Sequence, residues 1–314
     1  MQRKSVRLSL VAMAAFAAIG GAQAQSYLNV DFNGTQNIAG DTPAFRGSFT
    51  YNGVTYGPST AVANPATGVP APTVNSLNLA TLPINTLVAT DENGVKLGNT
   101  GTYKYADGTP GNAVVYRFYR QQYSGIVGNL TKGANNEQEE RKHFVKAIVG
   151  QGTALAALDT LEEDSYTYSG IAFTNFPIGD FSYTVDLASK TGSGSFTLEN
   201  LLVPAAWVGE SGLPKRLDVG GTLGTASLVA DANGIVGSAG VEGGAVTAGA
   251  KNPDDASQVA LWNAIVDNSS TTVDPKYYLN FFGTNSGTDV AKEVAGTIIG
   301  LPERIGGVAI IGTR

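Results

Sequence analysis

The sequence predicts a mainly β protein: a β-rich N-terminal handle followed by a C-terminal, water-soluble, eight-stranded antiparallel barrel. Three observations predict it. Short runs alternate apolar and polar residues with period two, as in Phe181, Tyr183, Val185 and Leu187 against Ser182, Thr184 and Asp186. Gly is 40 of 314 residues, spread among Thr, Ser, Asn and Val, which suits strands and turns more than helices. Beyond the polar run at 130–142, strand-like segments follow one another at short spacing to the last residue, and closing such a series removes its unpaired edges.

The elements follow in order. Arg3, Lys4 and Arg7 precede an apolar run from Leu8 to about Ile19 and the small-x-small site Ala22-Gln23-Ala24, so residues 1–24 read as a secretory signal peptide. The handle is assigned to 25–130. Within it, "FRGSFTYNGVTYG" predicts a hairpin about Asn52-Gly53, and "ANPATGVPAPTV" at 63–74 is a Pro/Gly loop. Residues 131–142, charged and polar, are a linker, with the barrel assigned to 143–314 and "HFVKAIVG" as its first strand. "DDASQVALWNAIVDN" at 254–268 is the best helix candidate, with Asp254 or Asp255 as its cap and Val259, Trp262 and Ile265 or Val266 on its packed face. In a small barrel the inward side chains fill the interior, so Phe181, Tyr183, Val185, Leu187, Phe196 and Leu198 are expected core. Asp186 and Glu199 on the outer face argue against a membrane pore.

Composition excludes several chemistries. There is no Cys, both methionines (Met1 and Met13) lie in the signal, and His143 is the single histidine. A Cys/His zinc site, a Cys nucleophile and a disulfide framework are therefore absent, and no G-x-S-x-G elbow frames a serine. Removing Arg3, Lys4 and Arg7 with the signal takes the net charge from −6 to −9, which argues against nucleic acid and anionic membranes as partners. The acidic runs Glu139-Glu140 and Glu162-Glu163-Asp164 read as solvated charge, not acid/base machinery. The chain is expected not to be an enzyme.

"LDTLEEDSYTYSGIAFT" and "GDFSYTVDLASKTGSGSFTLENL" resemble the barrel of the transferrin-binding protein B and factor H-binding protein group. There a Y-x-G-x-A-F strand precedes a Y-T-(V/I)-D-(F/L)-A-x-K-x-G-x-G hairpin. "YYLNFFGTNSGTDVAKEVAGTIIG" and "IGGVAIIGTR" resemble its closing strands, and "VVYRFYRQQYSGIVG" at 114–128 resembles the element that joins handle to barrel. The resemblance covers most of 114–314. It implies a handle-and-barrel fold and export through a Slam-type outer-membrane translocon. Many members are lipid-anchored, but this chain has no lipobox cysteine. It is more similar to the released, hemophilin-like branch, which captures haem or haemoglobin for a TonB-dependent outer-membrane receptor. The alternative is a host-protein binder acting on transferrin, a complement regulator or a tissue surface without haem.

A haem ligand would have to come from His143 or a tyrosine. His143 points inward if it shares a face with Val145, Ala147 and Val149, and is a solvated surface residue if the charged run continues through it. Tyr119 and Tyr123 are candidates to ligate iron or stack on a porphyrin, with Arg117 and Arg120 to pair with its propionates. The same segment, with Tyr116, also reads as an ordinary strand with aromatic packing, or as a protein-contact surface.

Overall fold

The computed structural model describes residues 28–32, 49–57, 74–91, 95–97, 102–104, 110–111, 114–131, 143–269 and 274–314. The signal segment, the Pro/Gly loop at 63–73 and the linker at 132–142 lie outside the described residues. In chain order the strands are β1 (Asn29–Asp31), β2 (Phe49–Tyr51), β3 (Val54–Tyr56), β4 (Ser76–Asn78), β5 (Val88–Asp91), β6 (Val95–Leu97), β7 (Thr102–Lys104), β8 (Pro110–Gly111), β9 (Val114–Arg120), β10 (Ser124–Thr131) and β11 (Val145–Gly150). Then come β12 (Ser165–Phe173), β13 (Ile178–Asp186), β14 (Thr191–Val203), β15 (Lys215–Ser227), β16 (Gly240–Ala250), β17 (Lys276–Phe282), β18 (Glu293–Ile299) and β19 (Val308–Thr313), with helix α1 (Ala256–Asp267) between β16 and β17.

Strands β12 to β19 form a closed barrel in which each pairs antiparallel with the next and β19 pairs back onto β12, Ile171 opposite Ile311. The expected alternation holds: along β13 Phe181, Tyr183 and Val185 are buried, while Asp180, Thr184 and Asp186 are exposed. Phe196 and Leu198 are buried beside them and Leu187 is partly buried against the same core. The outward face of β12 and β13 carries Thr167, Ser169, Asp180 and Thr184, not a lipid-facing apolar belt. Among the described residues no helix is long and apolar enough to cross a membrane.

The glycines that interrupt these strands have a packing reason. Tyr183 lies directly across from Gly194, Phe196 from Gly221 and Tyr277 from Gly244. A Cβ at Gly194 would meet Tyr183 Cδ2 at 2.9 Å, and one at Gly221 would meet Phe196 Cζ at 2.5 Å. Each ring lies over the bare backbone of its neighbour, which lets large aromatics fill a narrow lumen. The Tyr183 and Tyr277 hydroxyls lie 3.3 Å apart, and Tyr277 donates to the Gly224 carbonyl at 2.8 Å, so the buried phenols are satisfied.

Both ends are plugged. A 3-10 helix at Leu155–Thr160 buries Ala157 and Leu158 in the barrel core, and Lys190 in the β13–β14 turn holds it through Asp159. At the other end lies α1, where Asp255 is the N-cap and accepts from the Ser257 amide at 2.9 Å. The packed face meets the sequence expectation in part: Ile265 is buried, with Leu261 and Ala264 beside it, Trp262 and Val259 are half-buried, and Val266, the alternative to Ile265, is exposed. Gln258 ties the helix to β15: its amide oxygen accepts from the Asp218 N–H and its NH2 donates to the Arg216 carbonyl.

The handle is centred on a four-stranded sheet ordered β11-β10-β9-β5. Here the expectation for 143–150 is corrected. β11 pairs with β10, Ile126 opposite Ile148, so "VKAIVG" is a handle strand and the barrel's eight strands begin at Ser165. An apolar run of this length suits a strand buried on both faces but does not say which sheet it joins. The β2–β3 hairpin forms about Asn52 and Gly53, whose φ values of 49° and 76° are those of the tight turn that an Asn-Gly pair favours. It supplies Phe49 and Tyr56 to an aromatic cluster with Phe32, Tyr116 and Phe118 on one face of the sheet. The other face lies on the barrel wall: Tyr119, Ile126, Phe144 and Ile148 pack with Phe173, Phe282, Ala295, Ala309 and Ile311.

Candidate functional site

With the lumen filled by its own side chains, the chemistry available to a ligand lies in the handle, the junction and the connecting loops. Four of the five sequence candidates lie on β9 and its turn, beside the junction. Strand alternation splits them. Arg117 and Tyr119 point from β9 toward the barrel, while Arg120 shares the opposite face with Tyr116 and Phe118. Arg117 crosses the junction and donates to the Thr174 carbonyl at 2.9 Å in the β12–β13 turn. Arg120 donates through Nε to the Leu82 carbonyl at 2.7 Å within the handle. Both guanidiniums are thus engaged with backbone acceptors.

Tyr119 is buried in the junction, 6.4 Å from the Phe173 ring, and burial pushes its phenol up. Tyr123, in the β9–β10 turn, donates its hydroxyl to Asp289 at 2.7 Å. Burial, and after it this bond, push its phenol up to about 12. A phenol held protonated in this way is a poor source of the phenolate that ferric haem takes as ligand. His143 is half-buried in the turn leading into β11. Tyr123 lies opposite Gln151, eight positions along the chain, which at ~3.3 Å per residue separates the two by roughly 25 Å. The structure therefore does not bring His143 and Tyr123 together, whereas Arg117, in register with Gly128 and through it with Val145, lies nearer His143. With both guanidiniums on backbone carbonyls and both phenols pushed up, the four Tyr and Arg side chains as placed do not fit a haem. Among the described residues no group of three or more His, Cys, Asp or Glu side chains is arranged to hold a metal ion.

Two features were not foreseen from the sequence. Glu293, at the start of β18, is only 3 % exposed and sits under the β9–β10 turn. It accepts from the Gln122 N–H at 2.8 Å, from the Tyr123 N–H at 3.0 Å and from the Ser124 hydroxyl at 2.7 Å. Burial, opposed by these bonds, pushes its carboxyl up to about 7. In sequence it is one acid before a Val-Ala-Gly strand, and nothing local marks it as buried. The second feature is Asn129 on β10, fully buried with neither side-chain amide atom partnered among the described residues. It lies in register with Tyr116, which is in register with Thr90, whose hydroxyl is also unpaired. Unpaired buried amides are rare in a fold and require a reason.

No protein-family model matches the chain, and no curated protein matches it in sequence. The closed antiparallel barrel is compatible with the transferrin-binding-protein-like resemblance, which rests on the motifs quoted above.

Proposed function

We propose that this chain is a secreted, non-enzymatic capture protein in which the barrel is the scaffold and the handle and loops meet the target. The target class is haem or a haem protein such as haemoglobin, delivered to a TonB-dependent outer-membrane receptor after export through a Slam-type translocon. One observation supports the capture reading above all: the barrel is filled by its own aromatics and plugged at both ends, leaving recognition to its periphery. Within this reading His143 is the residue for iron. A second reading, capture of a host protein without haem, is favoured by the engagement of Arg117, Arg120, Tyr119 and Tyr123 in structural contacts.

The test is a hemin titration of the purified secreted protein, followed by a pull-down of haemoglobin. A saturable Soret shift at one haem per chain, lost in His143→Ala but kept in Tyr123→Phe, supports free-haem capture. Retention of haemoglobin with no Soret shift supports capture of the haem protein. Absence of both removes haem from the function and leaves the host-protein reading.

A further inference from the structure

The Glu293 clasp has a property that a plain structural hydrogen bond lacks. The Ser124 hydroxyl carries one proton and lies between two acceptors, Glu293 Oε2 at 2.7 Å and Gln121 Oε1 at 3.1 Å. With Glu293 ionised, Ser124 gives its proton to the carboxylate and Gln121 receives none from it. With Glu293 protonated, the carboxyl O–H donates to Ser124 Oγ and the Ser124 proton turns to Gln121. Meanwhile Gln122 still donates to Oε1 at 2.8 Å, and Tyr123, which in the ionised form is nearer Oε2 at 3.0 Å, keeps its 3.2 Å contact to Oε1. One added proton thus completes a chain of three side chains that runs from the barrel strand β18 into the handle turn.

Among the described residues no ion pair offsets the ionised form. The titratable and charged groups near the clasp are Tyr119 on β9, Tyr123 in the turn, Asp289 before β18, Lys292 beside it, and Arg120 and Arg314. Asp289 takes the Tyr123 hydroxyl, Arg120 donates to the Leu82 and Gln121 carbonyls, and Arg314 donates to the Ala291 and Val290 carbonyls. None forms an ion pair with Glu293 among the described residues. A buried carboxylate held by neutral donors alone is costly to keep charged.

We propose that Glu293 is a proton-controlled clasp: taking up a proton tightens the barrel's hold on the β9–β10 turn of the handle, and losing it loosens that hold. The direction follows from linkage. Burial lifts the carboxyl from the ordinary 4.5 to about 7, so the docked state binds the proton more tightly than an undocked or unfolded one. The stabilisation from this group is fully present below the ordinary carboxylate range and is lost as pH rises through about 7. The capture module is therefore held most firmly in mildly acidic surroundings, whatever its target.

The experiment uses the full secreted chain. Carboxyl-carbon NMR follows Glu293, assigned by its disappearance in Glu293→Gln, from pH 4 to 9. The expected midpoint is near 7. Amide exchange at Gln122 and Tyr123, corrected for intrinsic rate, should show protection falling on the order of tens of fold from pH 5 to pH 8 in the wild type. It should stay flat in Glu293→Gln. Gln121→Leu removes the last acceptor of the chain and should lower the midpoint. A Glu293 carbon that titrates in the ordinary range below pH 5, or equal exchange profiles in wild type and Glu293→Gln, overturns the clasp. If the variants fail to fold, the Glu293 carbon is assigned through bonds from the backbone of the wild type, and the wild-type titration then decides the matter by itself.

Discussion

Val185 in the barrel and Ile148 in the handle sheet are both strand residues with almost no exposed surface, yet different partners bury them. Val185 lies among side chains of its own barrel. Ile148 is buried in a cluster with Phe282, Ala295 and Ile311, which belong to the outer wall of another sheet. The barrel is self-sufficient, closed in its hydrogen bonding and filled from within. The handle sheet is open-edged and uses one face for its own aromatic cluster and the other for the barrel. A unit that completes its own core can be invariant while one that leans on a neighbour can be re-aimed, and this makes the handle the natural place for recognition.

That contrast can be broken or sharpened by experiment. The largest effect is expected in the barrel. Phe196→Ala removes a ring that covers Gly221 and should cost about 3–5 kcal/mol, lowering the urea midpoint of the whole chain by circular dichroism. The next tests the dependence of the handle. Ile126→Asp places a charge in the junction at a cost of several kcal/mol. It should expose the handle to limited proteolysis while a resistant barrel, starting after Gly150, survives. Simultaneous loss of handle and barrel would show that the two are one cooperative unit. The smallest effect is local: Asp255→Ala should speed exchange of the Ser257 and Gln258 amides by fraying the first turn of α1, leaving both sheets unchanged.

Much of this was legible because it is local. Period-two alternation identified Phe181, Tyr183, Val185, Phe196 and Leu198 as core, the Asn52-Gly53 pair marked its hairpin, and an aspartate at 254–255 marked the helix start. The candidate site was less legible. Tyr119, Tyr123, Arg117 and Arg120 sit close in sequence, and closeness suggested a common purpose. The strand sends Arg117 and Tyr119 to one face and Arg120 to the other, and the turn gives Tyr123 to Asp289. Asp289 lies 166 positions away, and no local signal pairs the two.

The sequence by itself determined the β class, the filled lumen and the helix at 256–267, because side-chain periodicity and turn chemistry act over a few residues. Only the tertiary structure decided that 145–150 belongs to the handle, that glycines lie under aromatics across the strand, and that Glu293 is buried beneath a turn. Each of these depends on which strand lies beside which. Pairing between residues far apart in the chain is set by the burial of whole faces, which no short stretch of sequence contains.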